Sequence, residues 1–377
     1  MNKEDIERLV IEGPRLAVAL SVDTCIFERD GYRLEGGRLK HLEQFRELPS
    51  TFLISDVVRR EVLAHMVTKT VAAREALRKA MADVGDHWRA GETERDAALA
   101  ALLGTSLPEV VAEERLASFL ERCGATQVVA DDTVGVGALM GRYFASEAPF
   151  EAAGAKKSEF PDAIALMSLE EWSRRNKKHV LVVSADRGWQ TFAADSERLC
   201  CVESLEQALE LFQRRDSTRA ALLEHVAALL DKKRWDGLDE LSDLLADATW
   251  IDDASAQFDY DIDMEVIVEK VEFSGDTAAE ALRAIDYAKG ALTVVAGLVA
   301  KVQVYADFSF NMEGVNLGNL SLNVQRAIEF EALLTFKDPM GAELNVSEME
   351  LVHRRQTIYF GHVEPDYSRE NPNHEKY

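Results

Sequence analysis

Residues 16–27 read "LAVALSVDTCIF". Seven almost wholly apolar residues, Leu16 to Val22, end on one acid, Asp23, which is followed by Thr24 and Cys25. A nearly continuous apolar run of this length predicts a strand covered on both faces, as in a parallel sheet sandwiched by helices. One carboxylate at the end of such a strand is by itself an ordinary turn or cap residue. It gains meaning only if other strands deliver acids to the same edge.

Four further runs have the same character: "TFLIS" (51–55), "TQVVA" (126–130), "HVLVVS" (179–184) and "LCCVE" (199–203). Helical patterns lie between them at 56–66, at 134–146 and at 162–177, with a long polar-amphipathic section at about 68–122. The alternation predicts an α/β sandwich around a parallel sheet. Ser204 and Gln207 have capping-box spacing, and helices are expected from there to about 247. The pattern then changes. "QFDYDIDMEVIVEKVEF", "LTVVAGLVAKVQVYADFSF", "LNVQRAIEFEALLTFK" and "HRRQTIYFG" alternate apolar and polar residues, with many aromatic and β-branched side chains. These predict antiparallel strands with one wet face, plus one helix at about 276–288. The expected organisation is an α/β domain at 1–213 with a helical insertion at about 68–122, a helical connection at 214–247, and a β-rich α+β domain at 248–377.

The chain has 377 residues, 47% of them hydrophobic and 29% charged, as expected of a soluble globular protein of two domains. No apolar run reaches the roughly 18 residues of a membrane span. The start, "MNKEDIERLV", lacks an apolar signal core, so no membrane association and a cytoplasmic location are expected. Cys25, Cys123, Cys200 and Cys201 lack metal-ligand spacing and read as small apolar residues of a reducing compartment. The formal charge of −24 argues against non-specific coating of nucleic acid. That charge is uneven: 247–377 hold 24 acids against 10 bases, whereas 151–190 hold seven bases against six acids.

Sites in open parallel sheets form at the carboxyl ends of the strands. Asp23 ends the first strand. "SDVVRREVLAH" (55–65) follows the second, with Glu61 about two turns into a helix capped by Ser55 or Asp56. "KKSEFPDAIALMSLEEW" (156–172) places Pro161 and Asp162 in a first helical turn, just after Glu159. "VLVVSADRGW" (180–189) delivers Asp186 just past a strand that ends at Ser184. Carboxylates gathered without bases repel one another and gain protons. A hard divalent cation, Mg²⁺ or Mn²⁺, removes that conflict and can activate water for phosphodiester cleavage.

Asp23 in "SVDTCIF", Glu61 in "SDVVRREVLAH", Asp162 in "KSEFPDAIAL" and Asp186 in "VVSADRGW" resemble the acidic quartet of PIN domains, over about residues 15–210. The likeness is to the larger bacterial PIN-like proteins. It implies a PIN-like α/β fold and metal-dependent cleavage of RNA, or less often of structured DNA. By likeness Asp23, Glu61, Asp162 and Asp186 are catalytic, and these four with Glu159 hold Mg²⁺ or Mn²⁺. Ser184 resembles the small hydroxyl residue before the last acid. Arg59, Arg60, Lys156, Lys157 and Arg187 flank the acids and are candidates to position phosphate. The helical insertion and the C-terminal extension have no counterpart in compact members of the family. That extension, with net charge −14, is a poor surface for RNA and is expected to bind a partner protein, to self-associate, to compete with phosphate near the proposed nuclease site, or only to stabilise.

Other readings fit less well. A haloacid-dehalogenase-like phosphatase needs an acid where Cys25 stands, and an integrin-type metal site needs hydroxyls at Cys25 and Phe27. Gly135 and Gly137 are too few for a phosphate loop, no HExxH occurs, and His65 reads as a helix-face residue. A catalytically silent PIN-like scaffold remains a separate class of reading, against which the complete acid set speaks.

Overall fold

The run that ends at Asp23 is a strand, β1 (Val18–Val22), buried at every residue. The computed structural model describes residues 8, 10–11, 18–150, 159–214, 216–232, 235, 237–312 and 315–366. They divide into two compact units, Met1–Ser217 and Thr218–Tyr377.

In the first unit the remaining strands are β2 (Phe52–Ser55), β3 (Thr126–Val128), β4 (His179–Val183) and β5 (Leu199–Val202). Their order is β3-β2-β1-β4-β5, and all pairings are parallel. The chain builds outward from β1 through β2 to β3, then returns to the other side of β1 for β4 and β5. The strand order therefore reverses between β1 and β4, which is where open parallel sheets leave a crevice at their carboxyl ends.

The helices of this unit are α1 (Thr24–Arg29), α2 (Gly37–Lys40), α3 (Asp56–Trp88), α4 (Glu92–Leu103), α5 (Pro108–Arg122), α6 (Val136–Ala145), α7 (Phe160–Asn176), α8 (Arg187–Asp195) and α9 (Leu205–Arg214). The expected helix at 56–66 does not stop there. It continues to Trp88, because the segment up to Asp83 holds neither Pro nor Gly and is rich in Ala, Arg, Glu, Lys and Met. Its buried positions end at Met66, so the later turns rest on propensity and on the neighbouring α4. Phe27, Phe52, Phe119, Trp189 and Phe192 fill the core on the sheet faces. Arg38 on α2, only 3% exposed, bonds Asp30 at 2.5 Å and Glu206 on α9 at 2.9 Å. Losing one partner would strand a buried charge, so this triad fixes α9 to the loop after α1. All four cysteines are free.

In the second unit α10 (Ser217–Lys232) and α11 (Gly237–Ala246) precede β6 (Thr249–Ala256), β7 (Asp259–Phe273), β8 (Leu282–Ala288), β9 (Ala291–Met312), β10 (Val315–Lys337), β11 (Asn345–Leu351) and β12 (Arg355–Val363). An antiparallel sheet runs β11-β10-β9-β7, with β8 paired to the start of β9. The alternation of β7 is as expected: Tyr260, Ile262, Met264, Val266 and Val268 face inward while Asp261, Asp263 and Glu265 are exposed. Leu222, Val226 and Leu230 of α10 and Leu241 and Leu245 of α11 pack into the core of this sheet.

Two expectations are corrected here. The helix predicted at about 276–288 is one turn, Ala278–Ala281, followed by β8. Lys289 and Gly290 both have positive φ and close a two-residue hairpin that pairs Ala288 with Ala291. That ladder, with Leu282, Ala284 and Ile285 buried, overrides the helix propensity of an Ala-rich stretch. The second correction concerns "HRRQTIYFG". β12 is not antiparallel to its neighbour but pairs with β6 in parallel, from Arg355 against Thr249 to Val363 against Ala256.

Candidate active site

Asp23 stands at the N-cap position of α1, yet its carboxylate caps nothing. It accepts instead from the Ser184 hydroxyl, 2.6 Å from Oδ2, while the Asp23 amide donates to the carbonyl of Val183 at 3.0 Å. Ser184 in turn accepts from the Asp186 amide at 2.9 Å. The ends of β1 and β4 are thus tied together through one fully buried hydroxyl. Asp23 is 5% exposed, and burial pushes its ionisation up to about 6. The hydrogen bonds of Cys25 and Ser184 oppose that rise, and the charge of Asp162 adds to it.

Ser55 caps α3, accepting from the Val57 amide, and Asp56 serves structure rather than the site by accepting from the Ala130 amide at 3.1 Å. Glu61, further along α3, accepts from the Thr24 hydroxyl at 2.8 Å. Its pKa is also raised, first by burial and then, against the Thr24 bond, by the charge of Asp162. Asp162 lies in the first turn of α7, with Pro161 beside it, and its Oδ1 accepts from the Trp189 indole N–H at 2.9 Å. Asp162 therefore couples electrostatically to both Asp23 and Glu61.

Asp186 behaves differently. Its Oδ1 caps α8, accepting from the Gly188 amide at 2.5 Å and from the Trp189 amide at 3.3 Å. Gly188 admits this approach because it has no side chain. A Cβ there would lie 2.9 Å from Asp186 Oδ1, 2.9 Å from Pro149 Cβ and 3.4 Å from Glu159 Oε2. The same contacts set Glu159 at the margin of the site, beside the start of α8.

Among the described residues no group of three or more His, Cys, Asp or Glu side chains is gathered as a metal-binding cluster. The donor chemistry nevertheless suits a hard cation. The groups are all carboxylates, and two of them are pushed toward protonation by burial and mutual repulsion.

Of the expected phosphate-positioning residues, Arg59 is held in an ion pair with Glu113 on α5, and Arg60 pairs with Asp56 at 3.3 Å. Arg187 is exposed at the first position of α8. Lys156 and Lys157 lie outside the described residues. Sequence reasoning gave no role to Thr24, Gly188 or Trp189. Their signal was position alone: Thr24 follows the first acid, and Gly188 and Trp189 follow the last.

Residues 20–189 match the family model described as the PIN domain. Over this segment the chain is similar to PIN domains. Neither the curated proteins nor the solved structures compared with the chain gave a match. PIN domains are generally nucleases, bind nucleic acid and typically use divalent metals, and the matched residues contain all five acids described above. No helix among the described residues is long and apolar enough to cross a membrane.

Proposed function

We propose that the protein is a divalent-metal-dependent endonuclease acting on RNA ahead of DNA, with Asp23, Glu61, Asp162 and Asp186 as its catalytic carboxylates and Glu159 at the margin. The observation that carries this reading is a hydrogen-bonded set of acids at the strand-order reversal of a PIN-like segment, with Ser184 on Asp23, Thr24 on Glu61 and Trp189 on Asp162. Mg²⁺ or Mn²⁺ bound there would polarise a water and stabilise charge on the leaving oxygen. The chain's own residues supply orientation. Ser184 holds one Asp23 oxygen, Thr24 one Glu61 oxygen and Trp189 one Asp162 oxygen, so each acid keeps its other oxygen in a fixed direction. Arg187, exposed beside Asp186, is the described cation best placed to meet a phosphate.

Incubation of purified protein with single-stranded and structured RNA, and with DNA, plus Mg²⁺ or Mn²⁺ tests the reading. EDTA-sensitive cleavage of RNA, lost in Asp162→Asn, is expected. No cleavage with either metal, or full activity in that variant, would overturn it.

A second reading, a binding module without catalysis, draws on Asp186, whose Oδ1 is engaged by two helix amides. Tight RNA binding without cleavage is its signature. The second unit fits a regulating or recruiting element, through a partner protein or self-association, because its acidic strands repel phosphate.

A further inference from the structure

Tyr32 sits in the turn after α1 with φ of 58°, a conformation a bulky side chain adopts only against a steric cost. The turn is held by its amide, which donates to the carbonyl of Phe27 at 2.9 Å. The residue is 3% exposed, and its hydroxyl, buried, has no hydrogen-bond partner among the described residues. An orphaned buried hydroxyl costs stability, so a group kept in that state points to a ligand that completes it.

Its surroundings say which ligand. The His65 ring stacks on Tyr32 with centroids 6.2 Å apart and planes at 23°, and Lys69 Nζ lies 5.5 Å from the ring centroid. Both His65 and Lys69 are exposed. Glu61, His65 and Lys69 are spaced four residues apart, so they form one row along α3 that leads away from the carboxylates. At 1.5 Å per residue the row extends about 12 Å. Burial first, then the charges of Glu28 and Glu61, push the Tyr32 ionisation up to about 12. The group therefore stays an O–H donor at neutral pH. A ring N–H and an ammonium on that row, with an O–H donor in the turn packed against it, suit an anionic, oxygen-rich ligand.

We propose that Tyr32, His65 and Lys69 form a phosphate-binding subsite beside Glu61, taking a phosphodiester of the substrate strand adjacent to the one presented to the carboxylates. This rests on the nuclease reading for its substrate but not for its test. The test is binding of a labelled single-stranded RNA by the full-length protein, with Ca²⁺ in place of Mg²⁺ and the RNA confirmed intact, across a range of salt. Lys69→Gln is expected to weaken binding about fivefold or more and to reduce the slope of log affinity against log salt by about 0.7, the value of one single-strand phosphate contact. Tyr32→Phe is expected to weaken binding about fivefold with the slope unchanged, because a neutral hydroxyl releases no counterion, and with thermal stability equal or raised. Wild-type binding with both variants indistinguishable from it would overturn the subsite and leave the nuclease reading to its own assay. A Tyr32→Phe protein that melts lower but binds normally would assign the hydroxyl to structure and overturn it as well. Binding without cleavage in Mg²⁺ or Mn²⁺ would remove the nuclease reading while the subsite stood. A wild-type protein that binds no RNA removes both.

Discussion

Asp23 shows what burial does to an acid that has no cationic partner at its side among the described residues. Its ionisation is raised from 3.8 to about 6, so the folded state holds the proton more tightly than the unfolded chain does. The stability this contributes is fully present below about pH 4 and is lost as pH rises through about 6, an effect on the order of 2–3 kcal/mol. In EDTA the melting temperature should therefore fall across that window, and Asp23→Asn should flatten the fall. Added Mg²⁺ should restore stability at pH 7.5 in the wild type more than in the variant. Identical pH profiles for the two proteins would refute the assignment. Trp189 makes a different point: fully buried, it gives its indole N–H to Asp162. Trp189→Phe keeps most of the packing and removes that donor. Cleavage is expected to drop about tenfold or more with a stability loss of about 1–2 kcal/mol, read by single-turnover kinetics alongside melting. The acids themselves were legible from sequence, because an Asp closing a buried strand recurs at positions 23 and 186. Their partners were not. Nothing local in "DTC" or "DRGW" shows that Thr24 reaches Glu61 across the sheet or that Trp189 reaches Asp162.

At the scale of elements, the start of α8 is the tightest construction near the site. Asp186, Pro149 and Glu159 close around Gly188 so nearly that a methyl group has no room. Gly188→Ala is expected to cost about 1–3 kcal/mol and to impair cleavage, since Asp186 or Glu159 must shift to admit the Cβ. Wild-type cleavage and an unchanged melting temperature would show that the loop yields without consequence. β1, β2 and β4 were readable because both faces are covered and their apolar runs are nearly unbroken. The reach of α3 was not, since an exposed helix lacks the apolar stripe that marks where a buried one ends. β8 was misread for the opposite reason. Its Ala-rich sequence favours a helix locally, and only the partner strand β9, with the turn at Lys289 and Gly290, decides otherwise.

At the scale of the molecule, the helices after Ser217 belong with the sheet that follows them. Leu222, Val226, Leu241 and Leu245 are part of that sheet's core. A chain cut after residue 247 would keep α10 and α11 without the surface they cover and is expected to aggregate. A chain cut after residue 217 should stay monodisperse and keep metal-dependent cleavage, as light scattering and the RNA assay would show. Loss of cleavage in a folded 1–217 fragment would instead make the second unit a working part of the nuclease. That unit also carries a consequence for how the chain reaches its native state. β9 and β10 are joined by a short connection and form a ladder from Met312 paired with Val315 out to Ala291 paired with Lys337, so each rung closes only a slightly larger loop than the one before. β6 and β12 meet only after the whole of that ladder has been spanned. The hairpin should zip early and the parallel pair should dock last, which makes the docking step the slow one. Substitutions in β9, such as Val304→Ala, should slow folding, whereas Ile358→Ala in β12 should chiefly speed unfolding.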